Sequence, residues 1–342
     1  MNHSVDTSNL RQVIFDTPRQ FSVGFGLAKD IQVPGTFRSV MISGMGGSAL
    51  PGNLFRICLH DIFRKDEERK QPLAIYQNRS YRLPPESFDQ CLNFICSYSG
   101  NTEETIAAFE EALRNRLPCV AFSSGGKIEA MANEHGIPHI KLPIPNPNFQ
   151  PRMGTGYFFA AMFQVLVNQG LVPDITNEML RDAEDIEAAL PSLEETGMAL
   201  AKKLKGKTPV IYTTDTYKSV AMVWKIKINE NAKTPAFWNF FPELNHNEMV
   251  GWTLPQSQFF VLMLRDPDSY PQNLKRFEIT ARLLREKGVF VEILDMEGES
   301  VYSRVFRSIA LGDFVSYHLA LEYGQDPTPV DMVEALKKQL LD

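Results

Sequence analysis

Two short segments of this chain carry residues whose types and spacing suit the binding of a phosphate. The first is Gly44-Met45-Gly46-Gly47-Ser48-Ala49, which follows the apolar run 39–43 (SVMIS) and opens a helical pattern from 49 to about 63. A glycine-rich turn from strand to helix leaves backbone N–H groups and the positive end of the helix dipole facing an anion. The second is 96–105 (CSYSGNTEET), where Ser97, Ser99 and Thr102 place three hydroxyls where a strand gives way to a helix. All three can donate to one phosphate, together with the free N–H groups of the first helical turn. A single hydroxyl at such a place is ordinarily an N-cap. Three of them, beside a second Gly/Ser loop, make phosphate the better reading, because ligands of parallel sheets sit at the carboxyl ends of the strands.

Four further residues are candidates for reaction chemistry, each with a plainer alternative. Glu230 lies between Asn229 and Asn231 near the end of a helical segment. A carboxylate there suits general-base work; the same residue also reads as a surface carboxylate paired with Lys233, three positions on. His246 lies among Glu243, Asn245, Asn247 and Glu248, where a histidine near neutrality either shuttles a proton or is simply solvated. Arg152 follows Pro151 and supplies a fixed positive charge, which either stabilises negative charge at a reacting centre or caps a carboxylate elsewhere. Lys337 sits in an ordinary amphipathic helix, where a solvated position is the plain reading.

The first loop also fits G-x-G-x-x-A, the dinucleotide fingerprint. The following strand, however, ends in Gln77-Asn78-Arg79 without an acidic residue for a ribose hydroxyl, and only Arg79 suits a 2′-phosphate. Neither glycine loop ends in GK[ST], so nucleotide-triphosphate chemistry of the P-loop kind is not indicated. His135 and His139 have the spacing of a helical metal-ligand pair, but Gly136 and Pro138 interrupt the helix that would align them. No metal and no cofactor are expected.

The elements that must position these groups alternate as strand and helix. In the first half, strand-like runs at 72–76, 92–99, 119–124 and 139–143 join the one at 39–43, with helices expected at 102–116, 127–135 and, after the Pro-rich 143–152, at 154–168. An acidic helical segment, 177–205, leads to a second series: strands at 208–215, 258–266 and 289–295, helices at 217–233, 273–288 and 303–323, and a last helix at 330–341 after the break DPTPV. This alternation predicts parallel sheets covered by helices on both faces, a three-layer α/β/α arrangement. VMISGMGGSA and VIYTTDTYKS share a strand, small-residue loop, helix opening, which favours duplication of one fold. A chain of 342 residues is long enough for two such domains.

Composition narrows the partners. The net charge of −6 gives no general attraction to nucleic acid or to an anionic membrane. The densest apolar stretch, 157–167, is too short to span a bilayer. Residues 1–12 are polar, without a basic or an apolar signal region. Cys58, Cys91, Cys96 and Cys119 form no CxxC pair and suit reduced core thiols. A cytoplasmic protein without membrane or nucleic-acid partners is expected.

GMGGSALPGN, SYSGNTEET, QPRMGTGY, NENAKTPAF, FPELNHNEMVGW and DPTPV…LKKQL, in this order over nearly the whole chain, resemble the bifunctional phosphoglucose/phosphomannose isomerase family. That family carries two sugar-isomerase (SIS) domains in tandem. The resemblance implies a first domain at 1–175, a second at 176–328 and a C-terminal helix, 329–342, packing at the active site. It implies isomerisation of glucose 6-phosphate and mannose 6-phosphate to and from fructose 6-phosphate through a cis-enediol, without metal. Carried over by motif, Gly46, Gly47, Ser48, Ser97, Ser99 and Thr102 bind the sugar phosphate. Arg152 stabilises the enediolate, Glu230 is the base, His246 helps to open the ring, and Lys337, or the adjacent Lys338, completes the site. Met45 replaces a more usual small residue and bears only on the loop's local shape. The family also implies a homodimer in which His246 reaches the partner's site; Trp238, Phe240, Phe241 and Trp252 around it are expected to be exposed, as interface aromatics are.

Three other functions compete. A non-catalytic sugar-phosphate sensor would use the same loops, but no basic recognition helix precedes residue 39. A glucosamine phosphate synthase needs a glutaminase domain, for which there is no room. An NADP-linked oxidoreductase rests on the G-x-G-x-x-A match and Arg79 alone.

Overall fold

Strands buried on both faces read in sequence as unbroken apolar runs, and three of those noted above, β1 (Ser39–Gly44), β3 (Cys91–Cys96) and β4 (Cys119–Ser123), are buried along their full lengths. The structure, a computed structural model, describes residues 3–65 and 73–340. Pro72, at the start of one expected strand, and Leu341, at the end of the last expected helix, lie outside the described residues.

The chain divides into two compact units, Asp16–Asp185 and the combination of Met1–Phe15 with Ile186–Asp342. The division falls ten residues later than the sequence boundary and inside a helix. It also assigns the N-terminal segment to the C-terminal unit, where the sequence reading kept it with the first domain. The cause is specific pairing: Arg11 forms an ion pair with Glu194, and Phe15 meets the Phe314 ring edge-on at 5.4 Å.

In the N-terminal unit β1, β3 and β4 join β2 (Ala74–Asn78) and β5 (His139–Lys141) in a sheet of order β2-β1-β3-β4-β5, parallel throughout. Helix α1 (Leu10–Phe15) precedes it in the chain, and the unit itself begins with α2 (Arg19–Leu27). Neither is evident in the sequence, because both are short and α2 carries Gly24 and Gly26, poor helix formers. The others are α3 (Leu50–Lys65), α4 (Glu103–Arg114), α5 (Gly126–His135) and α6 (Thr155–Asn168). Helix α6, the densest apolar run, is buried on nearly every side, as a helix without a polar face must be. Its Phe159 stacks on Phe55 of α3 with ring centroids 4.4 Å apart.

Helix α7 (Thr176–Leu204) carries the chain from one unit to the other. The C-terminal unit then holds β6 (Thr208–Thr214), α8 (Lys218–Ala232), β7 (Phe237–Phe241), β8 (Phe259–Arg265), α9 (Pro271–Glu286), β9 (Phe290–Asp295), α10 (Val301–Glu322) and α11 (Asp331–Leu340). Its parallel sheet has the order β7-β6-β8-β9. This repeats the order of the first four strands of the other sheet, in agreement with a duplicated fold.

The C-terminal unit corrects the expectation that Trp238, Phe240, Phe241 and Trp252 are exposed. Phe241 is fully buried and Trp252 nearly so, both in one core with Tyr212, Met263 and Phe277. Trp238 and Phe240 are half-buried. Helices α8 and α10 cover the other face, joined by a hydrogen bond from Trp224 Nε1 to the Ser308 carbonyl and by a buried ion pair, Lys227–Asp313, of 2.7 Å. The last helix differs from expectation: α11 buries none of its residues.

Candidate functional site

In the N-terminal sheet, β1 lies between β2 and β3, so the chain leaves β1 and β3 toward opposite sides and a crevice opens at their carboxyl ends. Both phosphate-loop candidates are there. Residues 46–49 form a short 3-10 helix leading into α3. Residues 97–102 lead into α4, with Thr102 in the extended conformation of an N-cap.

The two loops are tied to each other. The Tyr98 N–H donates to Ser48 Oγ at 2.9 Å, leaving the Ser48 hydroxyl hydrogen for another acceptor. Ser97 is fully buried; its Oγ lies 2.8 Å from Thr102 Oγ1 and accepts from the Thr102 N–H. Ser99 is exposed, and its Oγ accepts from the Asn101 N–H at 3.3 Å. Ser97 thus bonds to Thr102 within the loop, while Ser99, Gly46 and the half-buried Thr102 are more exposed.

Arg152 joins the same end of the sheet. It lies in a 3-10 turn, Pro151–Met153, and is 1% exposed. A Cβ on Gly47 would stand 2.6 Å from the Arg152 nitrogen and 2.7 Å from the Pro151 carbonyl carbon, so only glycine lets the two turns approach this closely. Arg152 Nη1 donates to Gln150 Oε1 at 3.3 Å.

Tyr98, which the sequence reading passed over, knits this region together. Its hydroxyl donates to the Pro143 carbonyl, its ring packs on Phe149 and Phe158, and its carbonyl accepts from both the N–H and the hydroxyl of Ser124. Burial pushes the phenol above its ordinary pKa, so it stays a neutral donor. Nothing in the spacing of SYSGNT singles out the tyrosine, since an aromatic between small residues at a strand end ordinarily serves packing.

Glu230, His246 and Lys337 belong to the C-terminal unit. Glu230 is half-buried in the last turn of α8. Its neighbours are anchors: Asn229 Oδ1 accepts from the Ala236 N–H at 3.0 Å, and Asn231 Nδ2 donates to Ser316 Oγ at 2.9 Å. Lys233, in the left-handed conformation at the end of α8, donates to the backbone carbonyls of Glu230 and Pro327. The asparagines of NEN therefore fix the helix end on either side of the carboxylate.

His246 is exposed on a turn held from two sides. Asn245 donates to Thr280 Oγ1 at 3.0 Å and accepts from Arg276. The Glu248 carboxylate accepts from the Tyr212 hydroxyl and from Asn239 Nδ2, and Trp252 Nε1 donates to the Tyr212 oxygen at 3.0 Å. Burial first, and then the Glu248 charge, hold the Tyr212 phenol well above its ordinary pKa. Lys337 is exposed on α11 and pairs with Glu334 at 2.7 Å; the neighbouring Lys338 is exposed as well. Arg79, the candidate for a 2′-phosphate, is exposed and donates to Asn53 Oδ1. Among the described residues no group of three or more His, Cys, Asp or Glu is arranged to hold a metal ion, and no helix is long and apolar enough to cross a membrane.

Residues 193–340 match the family described as bacterial phospho-glucose isomerase C-terminal SIS domain. A bifunctional phosphoglucose/phosphomannose isomerase of Caldicellulosiruptor bescii is 34% identical over 345 residues, covering 96% of this chain and 98% of that protein. One from Aquifex aeolicus is 33% identical, covering 92% of this chain and 93% of its own. Among solved structures, tagatose-6-phosphate ketose/aldose isomerase from Escherichia coli superposes with a TM-score of 0.65 at 15% identity, over 93% of this chain and 94% of that one. At that identity the likeness is one of fold.

Proposed function

Since the chain belongs to the bifunctional phosphoglucose/phosphomannose isomerase family, we propose that it interconverts glucose 6-phosphate and mannose 6-phosphate with fructose 6-phosphate. The observation that carries the substrate class is the Ser48–Tyr98 hydrogen bond, which ties two anion-suited loops together at the carboxyl end of one parallel sheet.

In this reading the phosphate is held by the hydroxyls of Ser48, Ser97, Ser99 and Thr102 with the N–H groups of the Gly46-Gly47 turn and of the first turn of α4. His246 moves a proton between ring oxygens to open the sugar. Glu230 then takes the proton from C2 of the aldose, or from C1 of the ketose. The electron pair of that C–H bond forms the C1–C2 double bond, the carbonyl oxygen takes a proton, and a cis-enediol results. Returning the proton to the other carbon, while the hydroxyl on the carbon first deprotonated gives up its proton and becomes the new carbonyl, completes the isomerisation, with no external oxidant or reductant. Proton return to either face of C2 gives the two aldose epimers. Arg152 supports the negative oxygen of the intermediate and Lys337 completes the site. One carboxylate suffices for the transfer, so activity is expected to survive exhaustive chelation.

The functional unit in this reading is a homodimer, with His246 contributed to the partner's site. The support is apolar exposure around the His246 turn: Phe237 is 56%, Val250 72% and Leu254 72% exposed. Mixing a His246→Ala variant with a Glu230→Gln variant is expected to recover part of the activity lost by each. A monomer with full activity in sedimentation would overturn this part.

The function itself is tested by coupled assays of both aldose phosphates on purified protein without nucleotide. Glu230→Gln is expected to lower kcat by about a hundredfold to ten-thousandfold with KM nearly unchanged. Weakened KM at intact kcat would place Glu230 in binding, and no turnover of either sugar phosphate by the parent protein would refute the proposal.

A further inference from the structure

Behind the second phosphate loop lies a group that the mechanism does not use. His139, on β5, has a side chain 8% exposed, and its Nε2 is 2.8 Å from Oγ of Ser123 at the end of β4. Ser123 is fully buried, and its hydroxyl donates to the Gly125 carbonyl at 2.8 Å. With that hydrogen committed, the Ser123 oxygen accepts from the imidazole, so the histidine carries its proton on Nε2. Nδ1 faces the Glu129 carboxylate at 3.9 Å, and Lys141 pairs with the same carboxylate at 2.9 Å. Burial lowers the His139 pKa, which favours the neutral ring.

The chain ends against the phosphate loop. A Cβ on Gly100 would come within 1.7 Å of the Gly125 carbonyl oxygen, and one on Gly126 within 2.6 Å of the Ser99 carbonyl oxygen. The two loops therefore touch backbone to backbone. Their remaining contacts follow the same seam: Ser124 N–H to the Tyr98 carbonyl, Lys127 N–H to Asn101 Oδ1, and Ile128 N–H to the Gly100 carbonyl. The Gly125 carbonyl oxygen thus lies against Gly100 of the phosphate loop, and it accepts the Ser123 hydroxyl hydrogen.

We propose that Ser123 and His139 are positioning residues for phosphate recognition, the His139 N–H orienting the Ser123 hydroxyl, which holds the Gly125 carbonyl against Gly100 of the phosphate loop. This rests on the reading of 97–102 as the phosphate loop. Neither side chain touches substrate. Each acts by holding the hydroxyls and N–H groups of that loop in the arrangement a phosphate requires.

The test uses the full chain and two probes, fructose 6-phosphate as substrate and inorganic phosphate as competitive inhibitor. Ser123→Ala, which removes one oxygen, and His139→Phe are each expected to raise KM and the phosphate Ki together by about tenfold, with kcat within about twofold of the parent, the change a lost buried hydrogen bond produces. His139→Gln keeps an N–H within reach of Ser123 and is expected to recover most of the loss. A lower melting temperature with KM and Ki unchanged would make the chain merely structural and overturn the proposal, as would a fall in kcat at constant KM. If His139→Phe does not fold, the milder Ser123→Ala and His139→Gln pair decides. A parent enzyme that turns over the sugar but is not inhibited by phosphate would remove the phosphate-loop reading and this proposal with it. An inhibited parent with unaffected variants removes this proposal alone.

Discussion

Gly100 is in the left-handed region, at φ +71°, and a Cβ there would overlap the Gly125 carbonyl oxygen at 1.7 Å and its carbon at 2.7 Å. Gly136, at the end of α5, has a similar φ of +64° but open space where its Cβ would go. Comparing Gly100→Ala with Gly136→Ala therefore separates the conformational cost of a side chain from the cost of close approach. The left-handed backbone alone costs about 1–2 kcal/mol for alanine. Overpacking adds about 1–3 kcal/mol, and the obstacle at Gly100 is backbone that cannot swing aside. Gly136→Ala should thus lose about 1–2 kcal/mol and Gly100→Ala about 2–5 kcal/mol. For a unit of this size each kcal/mol lowers the melting temperature by about 2–4 °C. Since Gly100 lies between Ser99 and Thr102, its shift should also raise the KM for fructose 6-phosphate, while Gly136→Ala leaves KM alone. Thermal melting and initial-rate kinetics on both variants decide the matter. Equal melting temperatures with equal KM values would refute the close-approach reasoning.

Two further outcomes are expected. Lys227→Met removes the buried ion pair with Asp313 and should cost about 3–5 kcal/mol in denaturant unfolding, whereas adding Asp313→Leu should recover much of it. Arg11 holds the Glu194 carboxylate through two hydrogen bonds. Burial pushes that carboxyl up, but Arg11 and His318 more than offset it and leave its pKa below the ordinary value. A depressed carboxylate stabilises the fold above its unfolded pKa and loses that contribution as pH falls through its folded pKa. Glu194→Gln should therefore melt below the parent at pH 7, with the gap closing below about pH 4; a gap constant with pH would contradict it.

Much of the fold was legible because burial on both faces writes itself as unbroken apolar runs at 39–43, 92–96 and 119–123. β7 was not, since FWNFF carries a polar Asn239 at its centre and its aromatics read as surface. In the structure Asn239 binds Glu248, and Phe241 is core. The N-terminal helices escaped notice because their place depends on distant partners, Glu194 and Phe314 for α1, which no local pattern reports. At the candidate site the loop hydroxyls were visible as types and spacing. What braces them was not: Tyr98, Ser123 and His139 act through hydrogen bonds to main-chain atoms or to each other, across strands far apart in sequence. The same holds for NEN, where the two asparagines fix a helix end on either side of Glu230.

Proton transfer at Glu230 is tested most directly by isomerising fructose 6-phosphate in D2O and following deuterium by NMR. The parent enzyme is expected to place deuterium at C2 of both glucose 6-phosphate and mannose 6-phosphate, because the proton rests on a carboxylate that solvent reaches. Glu230→Gln is expected to lose this exchange in parallel with turnover. Exchange that persists in the variant while turnover falls would show that another group carries the proton, and would contradict the assignment.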